Sequence, residues 1–150
     1  MKYITIKNTS VFPASKEYIF KRLKNFKTLQ YIAYPYATFT PVSEEKNIIW
    51  KEGTINSFKF RLFGFVPLET HKIKVIRFDM DKGIYTKEGN KFVPIWNHRI
   101  ILDRLDDNTT RYTDIVEIGA GWKTPFVALW AKMFYTHRQR KWICLLKNKK

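Results

Sequence analysis

Apolar and polar residues alternate from the start of the chain. Ile4 and Ile6 are interleaved with Tyr3, Thr5 and Lys7, the two-residue period of a half-buried strand over residues 2–12. Pro13 ends that strand. Ser15 is placed to cap a helix whose apolar positions Ile19, Leu23 and Phe26 repeat at four and three. Leu29 and Ile32 predict a second short helix, stopped by Pro35.

From Ala37 the period returns to two. Ala37–Ser43 and Ile48–Trp50 read as strands around a polar turn at Glu44–Asn47. Phe58, Phe60 and Leu62 alternate with Lys59 and Arg61, the apolar-in, polar-out pattern of a one-sided antiparallel sheet. Gly64 and Pro67 mark a turn. His71, Ile73 and Val75 alternate with Lys72 and Lys74, and the phase slips at Val75–Ile76, which fits a bulge. Asp81–Gly83 and Glu88–Asn90 read as turns around a short strand. Trp96, His98, Ile100 and Leu102 then share one face of a strand. Asp106–Asn108 closes a hairpin, and Tyr112, Asp114, Val116 and Ile118 share one face of the last strand.

A long helix follows, from Gly121 to Lys147. Thr124 suits its cap and Pro125 its first turn, where a missing N–H leaves nothing unpaired. Phe126, Trp130, Met133 and His137 recur at helical spacing and are expected on the face that covers the sheet. The elements together predict an α+β fold: a curved antiparallel sheet of about seven strands wrapped around the long helix, with two short helices after the first strand.

At 150 residues and 45% hydrophobic, the chain can bury one sizeable core, and a single domain over 1–150 is expected. It has no long uncharged apolar run and no leader-like N-terminal block, so a cytoplasmic location is expected. One cysteine, Cys144, excludes an internal disulfide. The net charge is +15, and no acidic residue follows Glu117. Lys132, Arg138, Arg140 and Lys141 are expected on the outer helix surface, where they could touch an anionic membrane weakly. Nucleic acid is not expected as a partner, because the aromatic residues phase inward rather than onto a stacking platform. No nucleophile motif, phosphate-binding loop or cofactor fingerprint is present, so no cofactor and no metal are expected.

His98 is the leading candidate for chemistry. With the hairpin turning at Asp107–Asn108, it lies opposite Val116 and diagonal to Asp114 on the same face. A carboxylate there can orient an imidazole as an acid, a base or a ligand-binding donor. His71 shares the inward face with Ile73, and His137 sits on the covering helix. These three histidines and Asp114 would suit zinc only if they converge, which their spacing does not show. The inward aromatic residues Trp50, Phe58, Phe60, Trp96, Tyr112, Phe126 and Trp130 serve equally as core or as the lining of an apolar site.

The order of elements and the strings Phe58–Leu68, Trp96–Ile100, Tyr112–Asp114, Gly121–Pro125 and His137–Arg140 resemble the SRPBCC or START-like superfamily. These helix-grip proteins are related to polyketide cyclases and birch-pollen allergens. The resemblance implies that a hydrophobic or amphipathic small molecule, such as a lipid or polyketide, is carried or sensed between sheet and helix. The expected lining is Trp50, Phe58, Phe60, Leu62, His71, Ile73, Trp96, His98, Ile100, Tyr112, Asp114, Phe126, Trp130, Met133 and His137. Binding is favoured over catalysis. The alternative is a cyclase- or dehydratase-like enzyme with His98 and Asp114 as acid and base. Monomer and dimer both remain open.

Overall fold

The computed structural model describes residues 3–42, 48, 50–63, 66–67 and 70–148. Strand β1 spans Ile4–Phe12, followed by α1 (Lys16–Leu23) and α2 (Phe26–Ala33). Strands β2 (Ala37–Pro41), β3 (Ile55–Leu62), β4 (Val66–Pro67), β5 (His71–Asp79), β6 (Gly83–Gly89), β7 (Ile95–Asp106) and β8 (Thr109–Gly119) come next. A single 3-10 turn at Gly121–Lys123 leads into α3 (Thr124–Lys147). Among the described residues, no helix is long and apolar enough to cross a membrane.

All strand pairs are antiparallel, in the order β1-β8-β7-β6-β5-β3-β2, with the two-residue β4 pairing β3 off this path. Seven strands therefore form the curved wall, as their alternation predicts. The wall begins and ends on the strands that α1 and α2 connect, so these two helices carry the chain from one sheet edge to the other. Their caps are those read in the sequence or beside them: the Ser15 hydroxyl accepts from Tyr18 N at 3.2 Å, and the Asn25 side chain accepts from Lys27 N at 3.0 Å.

The register slips between Val75 and Arg77, at the predicted phase change. Gly83 takes φ +96° at the β5–β6 turn, a left-handed conformation that suits glycine. Of the strand expected at Ile48–Trp50, residue 49 lies outside the described residues, and Ile48 and Trp50 are in no strand. β2 pairs directly with β3, Ala37 opposite Leu62, which leaves Ile48 and Trp50 outside the ladder. The turn expected at Glu44–Asn47 lies outside the described residues.

The helix α3 corrects the predicted face. Thr124, Ala128, Ala131, Phe134, Tyr135, Arg138, Gln139, Trp142 and Leu146 are buried, whereas Phe126 is 69% and Met133 51% exposed. Apolar residues surround the first half of the helix, so two stripes fit a helical period there and periodicity cannot choose between them. Packing chooses the small stripe: Ala128 and Ala131 let the helix backbone approach the sheet closely. The bulkier row Trp122, Phe126, Leu129 and Met133 is left outside. Arg138, expected on the basic surface, is only 6% exposed.

The interior divides into two clusters. One gathers Phe39, Phe58, Phe60, Ile73, Trp96, Val116, Phe134 and Tyr135. The other gathers Phe12, Ile19, Ile84, Ile100, Tyr112, Trp142 and Leu146. Side chains of both clusters border one cavity.

Candidate functional site

The cavity has a volume of about 660 Å³ and lies between the concave face of the sheet and α3. Its sheet wall includes Phe60, Leu62, His71, Ile73, Ile84, Thr86, Glu88, Trp96, His98 and Ile100. Leu23, Thr28, Leu29 and Ile32 reach it from α1 and α2, and Trp50 from the loop before β3. Val127, Trp130, Phe134, Tyr135 and Arg138 form the helix wall. At the rim stand Phe92, Trp122 and Phe126, which are 46%, 82% and 69% exposed. Strand alternation accounts for the wall: residues two apart along β5, β6 and β7 point to one side, and that side is concave.

Of the residues expected to line the space, Trp50, Phe60, Leu62, His71, Ile73, Trp96, His98, Ile100, Phe126 and Trp130 do so. Phe58 does not. It is fully buried against Phe26, Phe39 and Trp50, and fills core instead. Tyr112 is likewise packed away, its ring 4.6 Å from Phe12 and 5.8 Å from Trp142. Met133 faces outward. His137 stacks on Tyr36 at 4.7 Å and donates to the Tyr34 carbonyl at 2.7 Å, so it fastens α3 to the chain before β2 rather than facing the cavity. Asp114 lies behind His98, 1% exposed.

His98 and Asp114 meet as the register requires. His98 is opposite Val116 and Ile100 opposite Asp114, and His98 Nε2 lies 2.6 Å from Asp114 Oδ1. This contact is one link in a longer buried chain of polar groups. Asn90 Nδ2 lies 3.2 Å from His71 Nδ1, and His71 Nε2 lies 2.9 Å from Glu88 Oε1. Thr86 donates to Glu88 Oε2 at 2.7 Å, and that oxygen stands 3.8 Å from His98 Nδ1. Beyond Asp114, Gln139 donates to its Oδ2 at 3.0 Å and to the Asn8 carbonyl at 2.8 Å, while Ser10 donates to Gln139 Oε1 at 2.6 Å. The chain thus runs from Asn90 in the cavity wall, across β5, β6, β7 and β8, to β1 and α3.

Burial works to raise the pKa of the Glu88 carboxyl. The hydrogen bond and charge of His71, then the charge of His98 and the hydroxyl of Thr86, outweigh it and leave the pKa below the ordinary glutamate value. Burial pushes the Tyr112 and Tyr135 hydroxyls well up. Tyr135 OH accepts from Trp96 Nε1 at 2.9 Å, which ties the helix wall to the sheet wall.

Glu88, Gln139 and Arg138 were not legible as site residues. Glu88 begins the expected turn Glu88–Asn90, where a glutamate reads as solvated, whereas in the structure β6 runs through Gly89. A single signal pointed to it: on β6 it shares the alternation of Ile84 and Thr86. Among the described residues, no three His, Cys, Asp or Glu side chains are grouped to hold a metal ion. His137 is held apart by Tyr34 and Tyr36, and Cys144 is exposed.

Solved structures share this arrangement at low sequence identity. One is Ara h 8.0201, with a TM-score of 0.70 and 12% identity over 99% of this chain and 100% of that one. A START superfamily protein from Mycobacterium smegmatis gives 0.69 and 12%, over 95% and 97%. The Zhui aromatase/cyclase from a Streptomyces species gives 0.73 and 10%, over 97% and 94%. The chain therefore has the START-like helix-grip fold of the SRPBCC superfamily. No curated protein matches the sequence. Residues 10–144 match the family described as a domain of unknown function, DUF8410, and the chain belongs to that family.

Proposed function

We propose that the protein binds a hydrophobic or amphipathic small molecule, for carriage or sensing, in the cavity between sheet and α3. The observation that carries this reading is the cavity itself: about 660 Å³, walled mainly by aromatic and aliphatic side chains with a few convergent polar groups. Sites for small molecules have this size and character. The exposed apolar rim at Trp122 and Phe126, with Lys123 beside it, supports exchange of the ligand at an anionic lipid surface. The test is titration with N-phenylnaphthylamine, an uncharged dye that fluoresces in apolar surroundings, on wild type and on an Ile73→Trp variant that fills the space. Binding to wild type and its loss in the variant are expected. Absence of binding to wild type would overturn the reading. Native mass spectrometry of protein from its own host would then identify the ligand.

One observation favours a second reading, a cyclase- or dehydratase-like enzyme. The His98 imidazole lines the cavity and is held from behind by Asp114 at 2.6 Å. His98 would exchange protons with a bound polyketide, and Asp114 would orient it. Turnover that is unchanged in both His98→Gln and Asp114→Asn would end this reading.

A further inference from the structure

Arg138 is the one strongly basic group in the cavity wall that α3 carries deep into the protein. It is 6% exposed. Among the described residues no ion pair includes it, and its buried Nε has no hydrogen-bond partner. Its guanidinium carbon stands 4.9 Å from the Tyr135 ring centre and 5.5 Å from that of Phe134, so its near contacts are ring faces, which leave the N–H groups without acceptors. A buried guanidinium without an acceptor is costly, and a planar carboxylate is the partner its fork fits best.

The nearby carboxylates do not fill that role. Glu88 and Asp114 act on Arg138 through charge, but their oxygens are already engaged, Glu88 by His71 and Thr86, Asp114 by His98 and Gln139. They favour a charged guanidinium without saturating it. Apart from Thr28, His71, Thr86, Glu88, Asn90 and His98, and Lys123 beside the rim, the rest of the wall is apolar, and its exposed rim is at Trp122 and Phe126. From Phe126 to Arg138 the helix advances about 18 Å. That distance suits an elongated molecule with its polar end inside and its apolar end toward the rim.

We infer that the ligand is an amphipathic acid whose carboxylate is bound by Arg138 at the inner end of the cavity. This rests on the cavity being the binding site. The acid forms two parallel hydrogen bonds to the guanidinium, and its hydrocarbon part runs along Trp130, Phe134 and Ile73 toward Phe126.

The test is displacement of bound N-phenylnaphthylamine by dodecanoate and by its methyl ester at pH 7.5. The two competitors share a chain and differ in the charged head. On wild type the acid should displace the dye at a concentration at least about tenfold lower than the ester. In Arg138→Met the ratio of ester to acid should fall to about one. A wild-type ratio near one overturns the inference whether or not the variant folds, and it leaves the cavity reading standing because the dye still binds. An acid preference that survives in Arg138→Met overturns the assignment to Arg138. Failure of the dye to bind wild type removes the cavity reading, and this inference with it.

Discussion

Replacing Asp114 by Ala should be among the most damaging single substitutions outside the apolar core. The side chain is 1% exposed and holds two donors, His98 at 2.6 Å and Gln139 at 3.0 Å. Each hydrogen bond to a charged acceptor contributes about 1.5–3 kcal/mol net. Part of that is recovered, because the carboxylate no longer has to be kept out of water and Gln139 keeps its bond to the Asn8 carbonyl. Removal of one member of a buried pair typically costs about 3–5 kcal/mol, and we expect a loss in that range. For a domain of this size each kcal/mol lowers the melting temperature by roughly 2–4 °C, so a fall of roughly 6–20 °C is expected. Asp114→Asn keeps the shape but turns an amide toward a donor, and should cost about 1–3 kcal/mol. The assay is urea unfolding followed by circular dichroism, on Asp114→Ala, His98→Phe and the double variant. The phenyl ring preserves the contact of residue 98 with Tyr135, whose rings lie 4.9 Å apart, while deleting the nitrogens. The double variant should be more stable than the sum of the single losses predicts, by at least about 1 kcal/mol. Losses that add within about 0.5 kcal/mol, or an Asp114→Ala loss below about 1 kcal/mol, would refute the idea that this pair fastens β7 to β8.

Three further outcomes follow from the same structure. Glu88 has a folded pKa below its ordinary value of 4.5, so its ionised form contributes stability above about pH 4.5 that is lost as the pH falls through the folded value. The stability difference between wild type and Glu88→Gln should therefore shrink as acid is added below pH 4.5, and parallel acid titrations would contradict the pairing with His71. Trp142→Ala removes a fully buried ring stacked 5.7 Å from Phe12 and should cost about 3–5 kcal/mol in urea unfolding. Its affinity for N-phenylnaphthylamine should stay unchanged, since Trp142 does not line the cavity; a weakened dye affinity would mean that the two clusters are not independent. Gly83→Ala places a Cβ 2.8 Å from the Ile100 carbonyl oxygen at φ +96°, and should cost about 1–3 kcal/mol, against nearly nothing if that turn relaxes freely.

Strand alternation made the concave wall legible, because a period of two leaves each side chain only two directions. It placed His71, Ile73, Trp96, His98 and Ile100 on the lined face, and the turn at Asp107–Asn108 fixed the register that brings His98 to Asp114. The helix was less legible. Its first half is apolar all round, so the true inward stripe through Ala128, Ala131 and Tyr135 competes with the bulkier one through Phe126 and Met133, and only the closeness of the sheet selects between them. That choice of phase is why Arg138 reads as a surface residue in the sequence although it is buried. Phe58 and Tyr112 carry the correct inward phase yet miss the cavity, because phase says which side of the sheet a residue faces and not whether the space there is filled.

The two halves of α3 answer to different pressures. Toward its C-terminus Trp142 and Leu146 interlock with Phe12 and Tyr112, and Gln139 is bonded to β1 and β8. Toward its N-terminus Phe126, Val127 and Trp130 border open space. Substitutions in the first turns therefore reshape the cavity while the last turns keep the protein folded. On the proposed function, a lineage would change its ligand by rewriting a few exposed positions around Trp122 and Phe126 and leave its architecture intact.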